Sequence, residues 1–96
     1  MLAFPGKPRW LAQRRAVALI WMDGPARADV IVPSAVLELI AGRDFTERAA
    51  LVAVYLRRAE LESAAAMRLS RRRIPRSENV TLTVRDIEDM LVRQMG

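Results

Sequence analysis

The chain contains neither cysteine nor histidine, so whatever it folds into must hold together without disulfide or zinc staples. No disulfide framework and no thiolate metal site is available, and no imidazole can serve as base, zinc ligand or switch near neutral pH. Its 96 residues make one domain, 1–96, at the small end of what supports a core without staples. No stretch approaches the ~20 consecutive apolar residues of a membrane span.

Apolar alternation sets the first elements. Residues 1–9 hold Pro5, Gly6 and Pro8 and read as an irregular lead-in. From Arg15 to Met22 strand formers dominate, with Val17, Leu19 and Trp21 on one face and Ala18, Ile20 and Met22 on the other. Asp23-Gly24 is a turn signal and Ala28 to Val32 a second strand, so 15–32 reads as an antiparallel hairpin. Pro25 suggests a loop longer than two residues. The same segment imitates an export signal, with Arg14-Arg15, a short apolar run and Ala26-Arg27-Ala28. The run is only seven residues, Ala16 to Met22, and Asp23-Gly24-Pro25 breaks it, so a strand is the better reading.

Helical periodicity follows. Pro33-Ser34 opens a short helix over 34–41, with Val36, Leu37 and Ile40 inward and Gly42 as its stop. A long helix is expected over 44–70, started by Asp44-x-x-Glu47 at capping-box spacing and carrying the stripe Leu51, Val54, Leu61, Ala65, Leu69. Pro75 ends it, and Arg71 to Glu78 reads as a loop. Val80 to Val84 alternates as a third strand (80–84). Thr83-x-x-Asp86 can cap a final helix over 85–95 with Ile87, Met90 and Leu91 as its apolar face. The expected class is α+β: a small antiparallel three-stranded sheet, hairpin plus one strand, packed on two helices in the order ββααβ, with the C-terminal helix as an addition.

With that order in hand, the chain resembles a small bacterial family catalogued as domain of unknown function 1488. The likeness starts at Phe4-Pro5 and the strand ending in Asp23-Gly24, and continues at Val36-Leu37-Glu38. It is densest over Arg57-Arg58-Ala59-Glu60-Leu61-Glu62 and on through Ala64-Ala65 to Leu69. It closes with Val80, Leu82 and Asp86-Ile87. The resemblance implies an α+β domain with a small antiparallel sheet on two helices, and it implies no activity. Pro33 stands where the family usually has a helix-capping Ser, which would shift the cap to Ser34. The tail after Ile87 extends past the pattern.

Charge is distributed unevenly. Arg57 to Arg76 holds seven arginines (57, 58, 68, 71, 72, 73, 76) against Glu60 and Glu62, which accounts for the whole net charge of +5. Arginine and alanine both have GC-rich codons, so the clustering is better evidence than the pI. Arg68, Arg71, Arg72, Arg73 and Arg76 form a candidate anion or nucleic-acid patch. No aromatic residue lies between Arg57 and Gly96, so the patch lacks a base-stacking platform. Cations at a helix C-terminus also complement its dipole.

Catalysis finds little support. A serine nucleophile would need Lys7 as its base, the carboxylates sit where caps and helix surfaces use them, and the four glycines are scattered, with no phosphate-cradling loop. The chain reads as a non-enzymatic, cytoplasmic binding or regulatory accessory without cofactor or metal. It would work through a protein partner or self-association, with nucleic acid as the alternative and no membrane role. Trp10, Trp21 and Tyr55 are the interface candidates. Arg58 falls on the apolar stripe of the long helix and is expected to form a structural ion pair with Asp86, with Glu62 also in reach.

Overall fold

A computed structural model describes residues 7–23, 26–71 and 79–95. Four strands, β1 (Arg9–Leu11), β2 (Ala16–Asp23), β3 (Ala26–Val32) and β4 (Asn79–Thr81), combine with four helices, α1 (Ser34–Ala41), α2 (Glu47–Leu56), α3 (Arg58–Arg71) and α4 (Val84–Met95). The strands form one sheet in the order β1-β2-β3-β4. The α+β class stands. The three-stranded antiparallel sheet is corrected to a four-stranded mixed one.

The extra strand begins at the last residue of the 1–9 lead-in and runs past it: Arg9 pairs with Ala18, Trp10 with Val17 and Leu11 with Ala16, antiparallel. β2 and β3 form the expected hairpin from Val17↔Val32 to Asp23↔Ala26. Positions 24 and 25, where Pro25 suggests a longer loop, lie outside the described residues. β4 pairs with β3 in parallel, Val30 opposite Val80, and the Leu82 N–H continues the ladder to the Ile31 carbonyl at 2.9 Å. Alternation encodes which face a residue takes but not strand direction, and a parallel partner needs only a long crossover, here supplied by α1 to α3. Strand character ends at Thr81, short of Val84, because Val84 already belongs to α4.

β2 lies inside the sheet; it is buried on both sides over Ala16–Leu19, and towards its end the outer face opens, with Ile20 half-buried and Met22 exposed. Val17, Leu19 and Trp21 join Val30 and Val32 beneath the helices, while Ala16 and Ala18 pack with Ile31 and Leu11 on the other face. The helices contribute Val36 and Leu37 from α1, Ala50 and Val54 from α2, Leu61, Ala64 and Ala65 from α3, and Ile87 and Met90 from α4. Leu91, expected on the apolar face of the last helix, is exposed instead.

α1 occupies the predicted 34–41 span, but Ser34 does not cap it. Pro33 holds the N-cap position with no side-chain bond, and the Ser34 hydroxyl donates to the Arg15 carbonyl at 2.7 Å. The helix stops at Gly42, whose φ of 102° is open to glycine at little cost; its N–H closes on the Glu38 carbonyl.

The continuous helix over 44–70 is two helices. Residues 44 and 45 precede the first, which starts at Glu47 with Thr46 as N-cap, its hydroxyl accepting the Ala49 N–H at 3.1 Å. Asp44 and Glu47 therefore form no capping box. The break falls at Arg57, with φ −104° and ψ 21°, where neither proline nor glycine supplies the usual cause of a kink. Packing supplies it: α2 rests on α1, β1 and β2, whereas α3 rests on α4, and one straight rod cannot follow both supports.

Candidate interaction surface

Two arginine-centred clusters fix the framework around the surface. At the end of α3, the Arg68 guanidinium donates to the Asp86 carboxylate at 2.8 Å and to the Thr81 carbonyl at 2.6 Å. The same Asp86 oxygen accepts the Thr83 N–H at 2.8 Å, and Thr83 Oγ1 accepts the Asp86 N–H at 3.1 Å. The sequence spacing Thr83-x-x-Asp86 is thus a true capping box, locked from outside by an arginine on another helix. In the second cluster Arg15, in the left-handed region at φ 45°, donates to the Phe45 carbonyl at 2.8 Å. Its guanidinium lies 4.6 Å from the Phe45 ring centroid, a cation–π arrangement, and Trp10 meets the same ring edge-on.

These contacts revise the site residues read from sequence. Asp86 belongs to Arg68, not to Arg58. Arg58 instead reaches Glu62 at 3.4 Å along its own helix, and its side chain is 38% exposed. The break at Arg57 starts a new helix at Arg58, so its place on a wheel drawn through 44–70 no longer applies. Arg68 leaves the basic patch for a structural role. Arg71 closes α3, and Arg72, Arg73 and Arg76 lie outside the described residues. Trp21 is core, 7% exposed, which removes it as an interface residue, and Trp10 is half-buried on Phe45.

Tyr55 remains, 65% exposed, and it is not alone. Leu56 beside it is 74% exposed, and Val52 one turn earlier and Leu39 on α1 are also open to solvent. The sequence held a signal for this that amphipathic reasoning passes over: from Ala49 to Leu56 every residue is apolar. A helix apolar all round is normally buried all round, yet only Ala50 and Val54 of α2 are fully buried. The outer face forms an open groove of about 620 Å³ lined by Ile40, Arg48, Val52, Leu56 and Glu60 among others. A smaller apolar hollow bounded by Lys7, Pro8, Leu51 and Tyr55 adjoins it across Val52.

The surface is largely apolar. Its polar members are Arg48, Arg57, Glu60 and Thr46; Arg57 pairs with Glu60 at 3.2 Å, and Thr46 is engaged as the cap of α2. Among the described residues no cluster of acidic side chains could hold a metal ion, and no helix is long and apolar enough to cross a membrane.

A solved structure has the same architecture: a protein of unknown function of the DUF1488 family from Shewanella loihica PV-4, 20% identical, with a TM-score of 0.67. The match covers 82% of this chain and 90% of that one. The two share a fold. That agrees with the resemblance carried by the residues from Phe4 to Ile87, and at this identity it speaks to architecture alone. No family model and no curated protein matches the chain.

Proposed function

We propose that this domain is a non-enzymatic binding or regulatory accessory of the cytoplasm, acting through protein–protein contacts made by the outer face of α2. The observation that carries the reading is the exposure of Val52, Tyr55 and Leu56 side by side on one helix. Large apolar side chains gathered in one patch mark association surfaces far more often than scattered ones do. The absence of cysteine fits a reducing compartment. Capture experiments on the immobilised protein test it, using lysate with and without nuclease treatment. Protein partners should survive nuclease and be lost on Leu56→Asp; partners retained by Leu56→Asp would refute the surface.

The concentration of positive charge between Arg57 and Arg76 favours nucleic acid as a second reading. Arg68 does not contribute, since it is held by Asp86 and Thr81, which leaves Arg71, Arg72, Arg73 and Arg76 as its carriers. Loss of captured partners on nuclease treatment would favour it.

A further inference from the structure

The groove on α2 has a polarity. Arg48, Val52, Leu56 and Glu60 recur every fourth residue and all line it, as does Arg57, so a cation stands at one end, a carboxylate already paired with Arg57 at the other, and two exposed apolar side chains between them. The turn at Arg57 does not remove Glu60 from the row. Arg48 is exposed and has no ion-pair partner among the described residues. Glu60 is bonded to Arg57, but a carboxylate offers about four acceptor positions and can take a second guanidinium.

A row that runs cation, apolar, apolar, anion is complementary to itself reversed. On the reading of this face as a docking surface, on which this rests, we infer that its occupant is a second copy of the same chain, packed antiparallel about a two-fold axis. The axis passes midway between Val52 and Leu56. Arg48 of each copy then meets Glu60 of the other, and Val52 of each meets Leu56 of the other. Two-fold contacts are isologous, so one self-complementary row supplies both ion pairs and closes the assembly at two copies. A parallel arrangement would set Arg48 against Arg48 and Glu60 against Glu60, which like-charge repulsion opposes. Tyr55, in the apolar hollow that adjoins the groove across Val52, lies next to this contact.

Sedimentation velocity on the purified full chain, with circular dichroism as a folding control, tests the arrangement. The wild type should dimerise reversibly at micromolar to sub-millimolar concentration. Arg48→Glu alone and Glu60→Arg alone should each weaken the dimer at least ~10-fold, because both end contacts become like-charged. An equimolar mixture of the two variants should dimerise again. One variant then carries a carboxylate at both ends of its row and the other a guanidinium at both ends, so each end contact of the mixed dimer joins opposite charges. The double variant R48E/E60R should also recover, because the row is reversed but still self-complementary. A monomeric wild type overturns the inference, as does a dimer indifferent to both single variants or a mixture that stays monomeric. A monomeric wild type that still captures a Leu56-dependent partner from nuclease-treated lysate would leave the docking surface standing and remove only the second copy from it.

Discussion

Replacing Asp86 with alanine removes two bonds accepted by one side chain: the charge-assisted bond from Arg68 and the capping bond from the Thr83 N–H. Loss of the cap costs about 1 kcal/mol. A hydrogen bond to a charged group contributes about 1.5–3 kcal/mol, and the lower end applies because the two side chains are 30% and 17% exposed, between a surface pair and a buried one. Asp86→Ala should therefore destabilise by about 2.5 kcal/mol. Arg68→Ala should cost about 1.5–2 kcal/mol, since it also abandons the Thr81 carbonyl. Arg58→Ala removes a half-exposed pair within one helix, so about 0.5 kcal/mol is expected. In a domain of this size 1 kcal/mol moves Tm by roughly 4–8 °C, so thermal and urea unfolding resolve the three variants easily. The double variant R68A/D86A should fall short of the sum of the singles by more than ~1 kcal/mol, as coupled neighbours do. Additivity of the two, or an Arg58→Ala effect equal to that of Arg68→Ala, would refute the assignment of Asp86 to Arg68.

Three further outcomes follow from the structure. The Trp21 indole N–H is buried with no acceptor in reach, so Trp21→Phe should cost no more than about 1.5 kcal/mol, whereas Trp21→Ala should cost about 3–5 by leaving a cavity; chemical denaturation measures both. Thr46→Ala should destabilise by about 1 kcal/mol through the lost cap of α2, while Asp44→Ala should leave the unfolding midpoint within error. If the basic segment binds nucleic acid, its four remaining arginines limit the log–log salt slope to roughly −2.8 to −3.6 by fluorescence anisotropy, and R71A/R72A/R73A should flatten it to about −0.7 to −0.9; an unchanged slope would place the contact elsewhere.

Local patterns carried much of the fold. The hairpin, α1, the Thr83–Asp86 capping box and the final helix each depend on residues close in sequence, and each is where periodicity and turn chemistry placed it. What escaped depends on distant partners. β1 is three residues long, too short for alternation to register, and exists because β2 offers it an edge. The parallel sense of β4 and the break at Arg57 are set by elements tens of residues away. The ion pair differs for the same reason: which arginine meets Asp86 depends on how α3 packs against α4, and no local spacing encodes that. The apolar face of α2 was visible as composition but not as a surface, because an unbroken apolar run equally describes a helix buried on every side.

The two edges of the sheet have a consequence for how the protein avoids misassembly. β1 and β4 are each three residues, flanking central strands of eight and seven, so β1 pairs with β2 only over Ala16–Ala18 and β4 pairs with β3 only over Asp29–Ile31. Beyond those pairs, among the described residues, each hairpin strand has a strand partner on one side alone, the other hairpin strand. Short edge strands protect against edge-to-edge aggregation and amyloid-type stacking, and here that protection covers one end of each central strand. β4 guards β3 only after a crossover of three helices has closed, and pairing across such a sequence separation is slow. During folding, then, the Asp29–Ile31 edge stays open until β4 arrives. Variants that delay closure of the crossover, Asp86→Ala among them, should aggregate on refolding at concentrations where the native protein stays clear.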